Sequence, residues 1–325
     1  MTVTERFKNN MIQTSLSSIL VVGTAIVLLS PQVPLIRKVS EYSVHIMLGM
    51  LLFSMLAMVF KKPKVMFTAL ACTAALCIFL KNASLDTLNY SKENTETKLN
   101  VAHINLGNLP FEITPIENLL KDENIEVVSF QELTPNWDRR LRMALSEAYP
   151  HSILEKRADF YGLGIFSRFP FAASDIFECE GKPNLNVIIA KDETNFQVIS
   201  SHLTPALDNQ SLNQAAEQLN SIADHVNNSN EPLIALGEYN MVYWANEIRN
   251  FRAKTNLQNS RRDLVDGNLR VPYDHIFFSN ALECTQFKEV KDLSQNYLGI
   301  IGTYQIKGEE ESLPSGKVQL SMNNQ

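Results

Sequence analysis

The chain has 325 residues, 45% hydrophobic and 20% charged, with a formal net charge of -6. That length allows one substantial core or two domains. The acidic balance argues against an extended nucleic-acid surface, which needs clustered lysine and arginine, but leaves room for a small phosphate-bearing ligand.

The average hides a division. No charged residue lies between Asn9 and Ile36, only His45 is ionisable between Tyr42 and Phe60, and Val65 to Leu80 carries no charge. These runs approach the ~20 residues that cross a bilayer as a helix, and they predict spans at about 11–30, 42–60 and 65–80, the third on the short side. Arg6 and Lys8 precede the first run as in a signal peptide. However, Ser30-Pro31-Gln32-Val33-Pro34 has no small-x-small cleavage pattern, so a retained anchor is expected. Arg6, Lys8, Lys61, Lys62 and Lys64 fall on one side of such a membrane, against Arg37, Lys38 and Lys81 on the other. The excess predicts a multi-pass integral membrane protein with a cytoplasmic N-terminus and an extracytoplasmic C-terminal domain, periplasmic in a Gram-negative host.

Residues 1–81 are thus read as the membrane segment, 82–97 as a polar linker, 98–306 as a soluble domain and 307–325 as a disordered tail. Within the domain, strands are expected at Leu99–Asn105, Ile125–Phe130, His151–Lys156, Gly162–Ser167, Leu185–Ala190, Phe196–Ser200, Leu233–Leu236, Tyr273–Ser279, Phe287–Val290 and Leu298–Gln305. Helical periodicity marks Pro115–Lys121, Trp137–Ala148, Leu212–Asn227 and a start near Ala245. Strands outnumber helices, which favours two packed sheets with helices outside over a doubly wound sheet. Cys72 and Cys77 fall in the third apolar run, while Cys179 and Cys284 lie in the domain, free to pair in an oxidising compartment.

Polar residues gather at the strand ends: Asn105, Gln131-Glu132, Arg168, His202, Glu238 with Asn240, and Asp274. Singly, each reads as a turn former, a solvated charge or a satisfied histidine. In order, VAHIN (Val101–Asn105), VVSFQE (Val127–Glu132), GLGIFSRFP (Gly162–Pro170), VISSH (Val198–His202), GEYN (Gly237–Asn240) and PYDHIF (Pro272–Phe277) resemble the endonuclease/exonuclease/phosphatase family.

The resemblance implies an α+β fold, a four-layer αββα sandwich of the deoxyribonuclease-I-like type, here preceded by three transmembrane helices. It implies Glu132 as the main ligand of Mg2+ (or Mn2+) with Asn105 nearby, and His202 as a hydrogen bond to a phosphate oxygen. Asn240 would position water or phosphate, Arg168 would support a strand end, and Asp274 would orient a C-terminal histidine. Two departures stand out. Glu238 replaces the aspartate of Gly-Asp-x-Asn, and the Ser-Asp-His motif reads Ser294-Gln295-Asn296. An amide cannot exchange protons near neutral pH, so general acid-base help of about 100- to 10,000-fold should be lost. With no histidine to hold, Asp274 is expected to lack its partner. His275 is not expected to replace it, since adjacent strand residues face opposite sides. Two functions follow: metal-dependent hydrolysis of a phosphoester, weakened, or binding of a phosphorylated ligand or protein partner without catalysis.

Overall fold

A computed structural model describes residues 3–29, 33–84, 89–94, 96–109, 112–262, 269–292 and 295–308. Ser294 and residues 309–325 of the expected tail lie outside the described residues.

The apolar segment folds as α1 (Val3–Leu29), α2 (Pro34–Ser40), α3 (Ser43–Val59) and α4 (Pro63–Ser84). α4 packs against both α1 and α3. Lys62 Nζ donates to Asn9 Oδ1, and the Lys64 amide donates to Gln13 Oε1 at 3.3 Å. The starts of α1 and α4 therefore lie side by side and the two helices run the same way. Among the described residues, two helices, Arg6–Leu29 and Pro63–Ser84, are long and apolar enough to cross a membrane, while a further apolar helix, Ser43–Val59, has 17 residues. This corrects the expected lengths. The short run is the middle one, because α4 begins at Pro63 and continues past Lys81 to Ser84. α2 was not anticipated; Pro34 at its first position presets a helical φ.

The domain comprises, in order, β1 (Lys98–Asn105), a 3-10 turn (Leu106–Asn108), α5 (Thr114–Asp122), β2 (Val127–Gln131), α6 (Pro135–Leu145), β3 (His151–Glu155) and β4 (Leu163–Ser167). It continues through β5 (Phe171–Cys179), β6 (Lys182–Lys191), β7 (Thr194–His202), α7 (Asn209–Asn227), β8 (Leu233–Glu238), α8 (Asn246–Thr255), β9 (Gln258–Asn259), β10 (Asp274–Phe278), β11 (Leu282–Lys291) and β12 (Tyr297–Ile306). One six-stranded sheet has the order β11-β12-β1-β2-β4-β3 and the other β5-β6-β7-β8-β10-β9. Leu99, Val101, Val127, Val187, Val198 and Leu236 fill the space between them. The outer faces are covered by α5 and α6 through Ile116, Leu120, Trp137 and Leu141, and by α7 and α8 through Leu219, Ile222, Ile248 and Phe251. The architecture is the expected α-β-β-α sandwich. β5 escaped notice because it is an edge strand whose residues are mostly exposed, leaving no apolar alternation to read. Cys179, at the end of β5, and Cys284, in β11 of the other sheet, are both free.

Strand direction decides what meets at one end. β1 and β2 are parallel, with Asn105 beside Gln131, and β7 and β8 are parallel, with His202 beside Glu238. β10 runs against β8, which sets its first residue, Asp274, opposite Glu238. The expected linker is fixed along the sandwich where it is described. Tyr90 Oη donates to the Phe287 carbonyl at 3.1 Å, Ser91 N to the Cys284 carbonyl at 3.2 Å, and Asn94 N to Gln305 Oε1 at 3.0 Å.

The helical segment meets this same end of the sandwich. Val242, Tyr243 and Trp244 pack with Val27, Val44, Met47, Leu76 and Leu80. Trp244 Nε1 donates to the Ser40 carbonyl at 2.8 Å, and Tyr273 Oη donates to Glu41 Oε2 at 2.5 Å. Arg37 donates to the Ala206 carbonyl.

Candidate active site

Asn105 sits between two acids. Its Nδ2 donates to Glu132 Oε1 at 3.1 Å and to Glu238 Oε2 at 2.7 Å, while its Oδ1 accepts the Gly107 amide at 2.9 Å. Glu132 has φ of 56°, a left-handed conformation uncommon for a non-glycine residue and often found where function over-determines the backbone. Gly107 leaves the acid its room: a Cβ there would lie 1.8 Å from Glu132 Oε2. Gln131 Oε1 accepts the Glu238 amide at 2.7 Å and so joins the two sheets beneath the site. Gly237, with φ of 146°, has no space for a side chain either, since a Cβ would come within 1.9 Å of the Ser201 carbonyl.

Glu238 is therefore held against Asn105 despite its extra methylene. Burial and the nearby Asp274 charge push its carboxyl up to about 7, with the Asn105 hydrogen bond opposing. Two acids converge here, and one is driven towards neutrality for want of a countercharge.

His202 donates from Nδ1 to the Phe160 carbonyl at 2.8 Å and lies against Tyr161, ring centroids 5.2 Å apart. A carbonyl can only accept, so Nδ1 carries the hydrogen. Burial pushes the imidazole down to about 4, the bond to Phe160 opposing. At neutral pH, Nε2 therefore offers a lone pair. Donation from Nε2 to a phosphate oxygen requires that nitrogen to be protonated first. Asn240, with φ of 52°, spends Nδ2 on the Leu203 carbonyl at 2.8 Å, which leaves its oxygen to position a ligand.

Asp274 has partners, contrary to expectation. Its Oδ2 accepts Tyr297 Oη at 2.5 Å and both terminal nitrogens of Arg270 at 3.1 Å, and the Arg270 guanidinium lies 3.5 Å from the Tyr297 ring centroid. His103 Nε2 is 3.7 Å from Oδ1, beyond hydrogen-bond reach, so its contribution when protonated is charge alone. Burial favours the neutral acid, but His103, Arg270 and Tyr297 outweigh it and hold Asp274 below the usual carboxylate range. Burial and the Asp274 charge push the Tyr297 phenol well up. Gln295 and Asn296 are bonded to Asp292 and not to Asp274. The Asn296 backbone amide and Nδ2 donate to Asp292 Oδ1 and Oδ2 at 2.8 and 2.7 Å, and Gln295 N donates to the Asp292 carbonyl at 3.0 Å.

Arg168 is a correction. β4 runs antiparallel to β2, with Ser167 opposite Val127, so the end of β4 lies at the far end of the sheet. There Arg168 donates to Asn124 Oδ1 at 2.7 Å and covers the Tyr149 ring at 5.5 Å. His275 points away from the site as expected, with Nε2 donating to the Met241 carbonyl at 2.8 Å. The functional residues missed from the sequence are Gln131 as a sheet-to-sheet tie, His103, Arg270 and Tyr297. His103 had a signal, lying two residues before Asn105 on the same strand face. Tyr297 follows the altered motif directly, whereas nothing local marks Arg270.

A two-sheet sandwich with an acid-amide-acid cluster, a histidine and a buried aspartate at one end defines the deoxyribonuclease-I-like class. The chain belongs to the Endonuclease/Exonuclease/phosphatase family, whose model matches residues 99–296, more than half of its length. Among solved structures it is similar to D. rerio TDP2 humanized by 14 mutations, with 18% identity over 64% of this chain and 99% of that one, TM-score 0.52. It is similar to the endonuclease/exonuclease/phosphatase of Beutenbergia cavernae DSM 12333, with 17% identity over 65% of this chain and 72% of that one, TM-score 0.52. The human Nocturnin catalytic domain with bound sulfate gives 14% identity over 66% and 97%, TM-score 0.52. At such identities the likeness is one of fold. No curated protein sequence matches.

The family is typically dependent on a divalent metal. Among the described residues, no three or more His, Cys, Asp or Glu side chains converge to hold an ion. Magnesium needs only one or two carboxylates, since water and phosphate oxygens complete its shell. Glu132 and Glu238 supply two, tied together through Asn105. The donor set fits such an ion.

Proposed function

We propose that this protein is a membrane-anchored, divalent-metal-dependent phosphoesterase with reduced acid-base assistance. The observation that carries it is the convergence of Glu132 and Glu238 on Asn105. Glu132, with Glu238 beside it, would hold Mg2+ or Mn2+, which when bound supplies Lewis-acid stabilisation of charge on a phosphoryl oxygen. Asn105 fixes the spacing of the two acids. His202 Nε2 accepts a proton from water or, once protonated beside a phosphate, donates to its oxygen. Asn240 orients the attacking water through its side-chain oxygen. Asp274, neutralised by Arg270 and Tyr297, steadies the floor of the site and exchanges no proton.

The membrane reading draws on α1 and α4, and on the α1/α4 arrangement that groups the N-terminus with Lys61, Lys62 and Lys64. It puts the N-terminus in the cytoplasm and the domain outside. A phosphatase fusion after Thr97, where β1 is about to begin, reports this orientation by its activity; a silent fusion reverses it.

The catalytic test uses the full chain in nanodiscs with Mg2+ or Mn2+ and bis(p-nitrophenyl) phosphate. We expect turnover that a chelator abolishes and that Glu132→Ala lowers ~1,000-fold, the effect of losing several kcal/mol of transition-state stabilisation. A second reading, a binder without catalysis, is favoured by the bonding of Asn296 to Asp292. Metal binding by calorimetry, lost in Glu132→Ala but accompanied by no turnover, selects it.

A further inference from the structure

The three loops that carry His202, Asn240 and Asp274 all dock on the helical segment, on α2 and the residue that follows it. Ala206, four residues after His202, accepts from Arg37. Trp244, four residues after Asn240, donates to Ser40, and Tyr273, next to Asp274, donates to Glu41. The catalytic end of the sandwich therefore sits directly on α2.

α2 is amphipathic in the inverse sense to a soluble surface helix. Arg37, Ser40 and the adjoining Glu41 are buried towards the domain, whereas Leu35 is 75% exposed and Val39, one turn on, is exposed as well; Lys38 shares that face but turns its amine back to Glu41 and Tyr273. An apolar face directed outward beside apolar spans is how a helix lies in the headgroup layer, buried ~5–10 Å at the acyl boundary. The domain continues the same surface. Leu207, next to the Ala206 that binds Arg37, is 74% exposed. Phe160, whose carbonyl holds His202, is 69% exposed, and Leu269, beside Arg270, is exposed as well. Of the large apolar side chains exposed on the described part of the domain, the others are Met143 and Ile176. Isolated exposed leucines are ordinary on a protein surface. A set that rims a phosphoester site and adjoins the outward face of an interfacial helix has a specific use.

We infer that the substrate class is a phospholipid of the membrane that the chain itself occupies, taken with its phosphate at headgroup depth and its acyl chains left in the leaflet. This rests on the phosphoesterase reading above and narrows it. In the reaction water forms a bond to phosphorus, one ester P–O bond breaks, and the water's proton passes to the departing oxygen, giving an alcohol and a phosphomonoester.

The test compares two substrates on the full chain with Mg2+ in nanodiscs of phosphatidylethanolamine and phosphatidylglycerol: the bilayer lipid, followed by phosphorus NMR, and soluble bis(p-nitrophenyl) phosphate. Leu35→Ser with Leu207→Ser should lower lipid turnover by about tenfold, as expected for partial loss of two buried leucines, and leave the soluble diester within about twofold. Both positions are exposed, so the folded chain is retained, which gel filtration checks. Cleavage of the soluble diester with intact lipid overturns the inference and leaves the phosphoesterase reading standing, as does equal slowing of both substrates by the double variant. Cleavage of neither overturns both.

Discussion

The two ends of the active-site floor have met different fates. On one side, Asn105 bridges Glu132 and Glu238. On the other, Asn296 faces Asp292, and Asp274 is claimed by Arg270 and Tyr297. A buried carboxylate cannot be left alone, because an uncompensated charge in the interior is expensive. Arg270 and Tyr297 supply Asp274 with a cation and a hydrogen-bond donor. The two sides differ in what their carboxylates hold: a shared amide on one, an arginine and a phenol on the other.

The strongest way to break that comparison is at Asp274. If its role is now structural, Asp274→Ala strands the Arg270 guanidinium and should destabilise the full chain by ~3–5 kcal/mol in denaturant titration. Near-native stability with a large loss of turnover would instead return Asp274 to the chemistry. The next effect sharpens the acid side. Glu238 has a folded value near 7, above its ordinary one, so its contribution is fully present below about 4.5 and is lost as pH rises through 7. Thermal midpoints between those values should fall with pH in the parent and much less in Glu238→Gln, which mimics the protonated acid. Added Mg2+ should recover the parent's loss at high pH if the two acids bind it; identical pH curves for parent and variant would remove Glu238 from the coupled cluster. The smallest effect is at Arg168, far from both halves. Arg168→Ala should cost no more than about 1 kcal/mol of stability and leave turnover of the soluble diester within about twofold.

Much of the sandwich was legible because its central strands are buried on both faces and read as continuous apolar runs, as in VVSF and LIAL. The acids and amides at their ends were legible for the same reason: a polar residue closing such a run marks where a buried strand emerges to meet solvent or a ligand. Arg168 shows the limit. A strand end has no direction until its neighbours are known, and β4 happens to run the other way from β2. Asp274 and Tyr297 reach the site from strand beginnings, which only the antiparallel placement of β10 and β12 brings there. Arg270 lies four residues before Asp274, but outside any helix, where that spacing is not itself a signal, and His103 meets Asp274 from a distant strand, a pairing no local pattern encodes. α2 was hidden because Arg37 and Ser40 are buried while Leu35 and Val39 are exposed, the reverse of the pattern by which a surface helix is recognised.

The position of β1 carries a consequence for how the chain is made. It lies between β2 and β12, and the pairing of Lys98 with Gln305 joins nearly the first residue of the domain to nearly the last. The linker residues ahead of it are bonded to the same late strands. During synthesis the apolar helices can therefore leave the ribosome and find their membrane long before the sandwich can close. A long stretch with unpaired strand edges must wait for β12, so closure of the sandwich is expected to be slow and non-local.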